Sequence, residues 1–143
     1  MVCTFFGHHS TNESILPNLE EVLTDLIENK NVDTFYVGHQ GNFDTIVRRT
    51  LRSLKEKYPF IKYYVVLAYL PTNKNKYSYE DFSDTIYPDG LEEVHPKFAI
   101  SKRNEWLVKS SDIVVTCVSY SLGGAASFKA MAERKGKIVI NLT

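Results

Sequence analysis

Apolar runs alternate with helical patterns along this chain, and that alternation limits the fold more than any single residue does. Five runs have the length and composition of strands: Val2 to Phe6, Thr34 to Val37, Tyr63 to Tyr69, Ile113 to Val118 and Lys137 to Leu142. All but the second are almost unbroken in β-branched and aromatic residues. A strand covered on one face alternates apolar with polar side chains. A nearly continuous run suits a strand covered on both faces, as in a parallel sheet.

The intervening segments carry helical spacing. Leu16, Leu19, Val22, Leu23, Leu26 and Ile27 mark one buried helix face. Pro17 is tolerated only in a first turn, which makes Ser14 the candidate N-cap. Phe43, Ile46, Val47, Leu51 and Leu54 repeat the spacing, with Asn42 as candidate cap. Arg48, Arg49, Arg52 and Lys55 take much of that helix's remaining surface, as a solvated face or an oligomer contact. Ile100, Trp106 and Leu107 predict a third helix ending before Asp112, with Trp106 in the core. Phe128, Met131 and Ala132 predict a fourth over Ala125 to Arg134, stopped by Gly136. The expected fold is α/β, with a mainly parallel five-stranded sheet, helices on both faces and right-handed crossovers.

Pro71 to Lys97 breaks this rhythm. Its aromatics (Tyr77, Tyr79, Phe82, Tyr87) and an Asp89-Gly90 turn signal fit a lid or binding loop, or a surface excursion packed on the body. A short helix over Tyr79 to Thr85 is a third option. The 143 residues are expected to form one domain, 1–143, with an irregular insertion at 71–97.

Composition narrows the partners. Lys and Arg number 17 and so do Asp and Glu, giving a formal net charge of zero. A duplex nucleic-acid binder usually carries a basic excess, so that class of partner is not expected. The two cysteines, Cys3 and Cys117, sit in apolar runs and read as buried thiols in a reducing compartment. No leader pattern is evident, and no apolar run approaches the roughly 20 residues that span a bilayer. A cytoplasmic protein without a membrane partner is expected.

In a parallel sheet all carboxyl ends of the strands share one edge, and ligands bind there, where the strand order reverses. Three turns should therefore meet. They are Gly7-His8-His9-Ser10, then Gly38-His39-Gln40-Gly41-Asn42-Phe43-Asp44, then Ser119-Tyr120-Ser121-Leu122-Gly123-Gly124-Ala125-Ala126-Ser127. The last passes from strand to helix through paired glycines. They let backbone approach a ligand closely, and the first helical N–H groups present the positive end of the helix dipole. Phosphate is the usual guest, so a nucleotide-type ligand is expected.

Each candidate has a plainer alternative. Gly38 and Gly41 either approach a phosphate or ribose, or make a tight turn. Asp44 either binds a ribose hydroxyl or serves as a first-turn acid on the helix dipole. His8 and His9 either contact phosphate or base, or are exposed turn residues. His39 is the only obvious third imidazole; no metal-ligand spacing is present, and no metal site is expected. Arg103 either clamps an anion in bidentate fashion or is a solvated helix charge. The glycine spacing is not the dinucleotide fingerprint, so no nicotinamide and no other cofactor is expected. Ser10, Ser119, Ser121 and Ser127 lie in no nucleophile elbow.

Taken in order, Phe5-Phe6-Gly7-His8, Tyr36 to Asp44, Lys102-Arg103-Asn104-Glu105-Trp106 with Ser111-Asp112-Ile113-Val114, and Gly123-Gly124-Ala125 resemble the SLOG superfamily. This Rossmann-like, three-layer group includes the lonely-guy (LOG) phosphoribohydrolases and the DprA-type domains. The likeness is to small bacterial and phage members, and spans the chain outside Pro71 to Lys97. It implies a nucleotide-derived ligand, including ADP-ribose-like phosphates, and self-association as a dimer or higher homo-oligomer. LOG enzymes cleave the N-glycosidic bond of a nucleoside monophosphate. Their signature joins Arg-Lys on one helix to Pro-Gly-Gly-x-Gly-Thr-x-x-Glu after the next strand. Here Arg103 matches the arginine and Asn104 replaces the lysine. Gly123 and Gly124 match the paired glycines, Leu122 replaces proline, Ala126 the third glycine and Ser127 the threonine. Ala130 stands where the catalytic glutamate belongs.

Glycosidic cleavage needs a carboxylate to stabilise a ribosyl cation-like state or to position water, and a methyl group does neither. The expectation is therefore binding or sensing without LOG-type turnover. The ligand residues would be Gly7, His8, His9, Gly38, Gly41, Asp44, Arg103, Asn104, Ser121, Gly123, Gly124 and Ser127. One alternative is an N-glycosidase that uses Arg103 and an acid relocated to Glu105, Asp44 or Glu133. Another is a structural or interaction domain whose glycine turns only connect elements.

Overall fold

Among the described residues, six parallel strands form one sheet in the order β4-β3-β2-β1-β5-β6. The computed structural model describes residues 1–70 and 84–143. Along the chain these are β1 (Val2–Gly7), α1 (Leu16–Asn29), β2 (Thr34–Val37), α2 (Gly41–Lys57), β3 (Lys62–Val66), β4 (Asp84–Ile86), α3 (Ala99–Ser110), β5 (Ile113–Cys117), α4 (Gly124–Arg134) and β6 (Ile138–Asn141). Single 3-10 turns lie at Glu13–Ile15, Leu91–Glu93 and Pro96–Phe98. The fold is α/β and Rossmann-like, as the alternation predicts.

Pleating sends successive strand residues to opposite faces, and the apolar runs serve both. Phe5 of β1 and Val115 of β5 join Leu19, Leu23 and Leu26 of α1 and Phe43, Val47 and Leu51 of α2 in one core layer. Phe6 and Val114, one residue away, join Leu107 and Val108 of α3 and Phe128 and Ala132 of α4 in the other. The sheet is thus covered twice, which is why its strands lack polar alternation.

The sixth strand was not expected. Asp84–Ile86 pairs with Tyr64, Val65 and Val66 of β3 at the sheet's edge. Three residues are too few to show a period, and an edge strand needs no continuous apolar run. Asp84 and Thr85 therefore belong to a strand rather than a short helix. Tyr77, Tyr79 and Phe82 lie outside the described residues. Tyr87 packs on the first core layer.

Both proposed caps are corrected. Asn12 Oδ1 accepts the Ser14 N–H at 2.8 Å and caps the 3-10 turn that leads into α1, so Ser14 is capped rather than capping. Gln40, not Asn42, holds the N-cap position of α2, and the Asp44 carboxylate reaches back to accept its N–H at 2.9 Å.

Candidate functional site

The strand order reverses beside β1. The chain runs outward from β1 through β2, β3 and β4, then returns to β5 on the other flank. Gly7 and Cys117, the last residues of β1 and β5, are register partners. The turns that follow diverge there, and between them lies a cleft of about 300 Å3. Gly7, His8 and His9 line it from the first turn, Gly38 and Asp44 from the second, and Gly123 and Gly124 from the third. Arg103 and Asn104 enter from α3. Three turns spread over more than a hundred residues of sequence thus share one opening.

Three of the expected ligand residues stand elsewhere. Gly41 backs the cleft. A Cβ there would lie 2.6 Å from His9 Nδ1 and 2.9 Å from His9 Cα, and its φ of +84° suits glycine. Ser121 lines a neighbouring concavity. Ser127 is exposed on α4 and lines neither.

The cleft floor is a buried polar assembly. Arg103 is 2% exposed. Its Nε donates to Asn104 Oδ1 at 2.7 Å, one Nη to the Val66 carbonyl at 2.8 Å, and the other Nη to Gln40 Oε1. Asp44 is 8% exposed. Burial pushes its carboxyl above the usual range, while the Gln40 N–H and the Arg103, Arg48 and His9 charges pull it back. Arg48 donates to the Gly38 carbonyl at 3.3 Å, so it serves this turn rather than forming part of a purely solvated face. Arg49 does face outward and pairs with Glu13. The half-buried His39 ring is held down to about 4, by burial first and then by Arg48 and Arg103.

These groups fix the glycine at 38. A Cβ there would lie 2.7 Å from Asp44 Oδ2 and 3.3 Å from an Arg103 Nη. At Gly7 a Cβ would stand 2.8 Å or less from three atoms of the buried Phe43 side chain. Both glycines are demanded by the protein's own packing.

The opposite lip is different. Gly123 has φ +103° and opens α4 from its N-cap position. A Cβ at Gly123 or Gly124 would meet nothing within 4 Å. The first N–H groups of an eleven-residue helix open there with no side-chain capping bond.

Two side chains shape that lip, and sequence reasoning assigned neither a role. The Tyr120 ring stacks on His8, with centroids 3.8 Å apart and planes 4° from parallel. His8 Nε2 also accepts the Ser119 N–H at 3.3 Å, which places the neutral ring's proton on Nδ1. Asn141 of β6 accepts from Thr116 Oγ1 at 2.8 Å and from Val118 N–H at 3.0 Å, and donates to the Val118 carbonyl at 3.0 Å. One carboxamide thereby pins the loop after β5. Gln40, the acceptor for Arg103, was likewise missed. The available signals were a polar residue inside an apolar run (Asn141) and an amide inside a glycine turn (Gln40).

Among the three acids considered for a relocated catalytic role, only Asp44 lines this cleft. Glu105 pairs with Lys102 at 3.4 Å on the surface of α3. Glu133 pairs with Lys129 at 3.1 Å beside the neighbouring concavity. Among the described residues no group of three or more His, Cys, Asp or Glu side chains is placed to hold a metal ion. Cys3 and Cys117 are buried, and burial pushes both thiols up, away from the reactive thiolate. No helix among the described residues is long and apolar enough to cross a membrane.

No family model and no curated protein matches the chain. A solved structure does. It is DNA processing protein A (DprA) from Streptococcus pneumoniae, with a TM-score of 0.69 at 17% identity over 97% of this chain and 49% of that one. The chain spans about half the length of that structure, and a likeness at this identity speaks for the fold.

Proposed function

We propose that this chain is a SLOG-type domain that binds a nucleotide-derived ligand through its phosphate, in the cleft beside β1 and β5, without cleaving it. The observation that carries the reading is the bare backbone at Gly123 and Gly124. Those two glycines answer to no internal packing, while a helix N-terminus opens beside them on a cleft at the sheet's reversal point. The phosphate sits against that lip. His9 and Asn104 contact ribose or a second phosphate from the opposite wall. Arg103 contributes its positive charge from the floor, while its Nε and both Nη atoms hold Asn104, Val66 and Gln40. Ala130 in place of an acid supports retention over turnover. DprA is named for DNA processing. The zero net charge of this chain favours a small ligand over a nucleic acid.

The test is mass spectrometry of small molecules released from freshly purified protein, paired with a thermal-shift panel of nucleotides and ADP-ribose derivatives. Ligand at a hundred times its Kd raises stability by about 2.7 kcal/mol. A panel that moves Tm nowhere, with no nucleotide released, defeats the reading. Self-association is proposed on the resemblance alone, and sedimentation velocity reads it directly.

A second reading is favoured by one observation, the raised Asp44 carboxyl in the cleft. In an N-glycosidase it would be the relocated acid. Release of free base from nucleoside monophosphates, abolished by Asp44→Asn, would establish turnover in place of retention.

A further inference from the structure

A second concavity of about 380 Å3 adjoins the cleft. Tyr120 lines both, and His8 lines only the first. One face of the tyrosine ring is therefore covered from the cleft side by the parallel imidazole, while the residue as a whole stays 55% exposed. Val118, Ala126 and Ala130 give the second concavity small apolar walls. Its polar lining comprises Ser119, Ser121, Asn141 and the pair of Lys129 Nζ, a donor, and Glu133 Oε1, an acceptor, 3.1 Å apart. The Glu133 carboxylate disfavours a second phosphate. A flat ring with an apolar face and an edge of adjacent donors and acceptors matches each of these features.

We infer that this concavity takes the nucleobase of the ligand whose phosphate occupies the cleft, with the base stacked on the face of Tyr120 turned away from His8. The inference rests on the proposed function and adds a specificity site to it. His8 backs Tyr120, so the base completes a three-ring stack. Lys129 and Glu133 read the base edge. Ala130 then has a role of its own: its methyl leaves room that a longer side chain would fill.

Calorimetric titration of AMP, GMP, CMP, UMP and ribose 5-phosphate tests this. Wild-type protein is expected to bind at least one nucleotide roughly tenfold tighter than ribose 5-phosphate, the increment of one base on an aromatic platform. Tyr120→Ala should bring the two affinities together, whatever it does to ribose 5-phosphate itself, because Tyr120 also lines the cleft. Tyr120→Phe should keep the increment. Ala130→Leu, which fills the concavity without touching the cleft, should remove it as Tyr120→Ala does, and Tm measured on both variants controls for folding. An increment that survives both substitutions, or none in the wild type while ribose 5-phosphate binds, overturns the inference and spares the phosphate site. Failure of all five compounds to bind overturns both.

Discussion

The floor and the lip of the cleft are built from the same residue type for opposite reasons. At Gly7 and Gly38 an added methyl would strike Phe43 or Asp44, so these glycines exist because the protein fills the space itself. At Gly123 and Gly124 the methyl would meet nothing; the φ of +103° accounts for the glycine at 123, and no internal contact accounts for the one at 124. The lesson is that a glycine beside a strand end is evidence for a ligand only after the protein's own packing has been set aside.

The largest effect expected from breaking this contrast is at the floor. Arg103→Leu leaves the Val66 carbonyl and Gln40 without their donor and removes one of the charges that offset the burial of Asp44, at a cost of about 3–5 kcal/mol. Urea denaturation measures it, and a loss below about 1 kcal/mol would mean the assembly is solvated after all. Asp44→Asn added to Arg103→Leu should cost less than the two separate losses combined, because the partners share one network.

Gly7→Ala comes next, at about 1–3 kcal/mol, because the ring of Phe43 has nowhere to move in a filled core. Gly124→Ala is its counterpart. The helix gains up to about 1 kcal/mol from the exchange, while nucleotide affinity falls roughly tenfold as the methyl enters the phosphate's place. Equal losses of stability at the two positions would erase the distinction between floor and lip.

The smallest effect is a pH dependence confined to the floor. His39 titrates near 4 in the folded protein against 6.5 ordinarily. Between those values the unfolded chain takes up a proton that the folded one refuses, so His39 lowers stability as pH falls from about 6.5 towards 4. Asp44 opposes it. Its raised carboxyl holds a proton in the folded state at pH values just above 3.8, where the unfolded chain has lost it, so its contribution falls as pH rises. His39→Gln should lose less stability between pH 7 and pH 5 than wild type. Identical losses in the two proteins would remove His39 from the account.

Much of this architecture was legible because it depends on local pattern. Continuous apolar runs announce strands covered twice, and three-four spacing announces helices. From those two facts the meeting of the three turns follows by topology. What escaped depends on distance. Arg103 looked like a surface cation or an anion clamp, since nothing local reveals that its guanidinium reaches Val66 and Gln40, 37 and 63 residues away. Asn141 stands inside the last apolar run with nothing local to single it out, since its partners Thr116 and Val118 lie in and just beyond another strand. The cap at Gln40 is held by an acid four residues on, a pairing that Asn42, the better capping residue by type, concealed. β4 was too short and too polar to register.

The Asn141 carboxamide makes the outermost strand and the mouth of the cleft a single mechanical unit. Peeling β6 from β5 removes the three bonds that Asn141 makes to Thr116 and Val118, so the mouth slackens while the two core layers around β1 stay closed. Amide hydrogen exchange at Val118 should then keep time with Ile140 at the sheet's rim, and not with Phe5 at its centre.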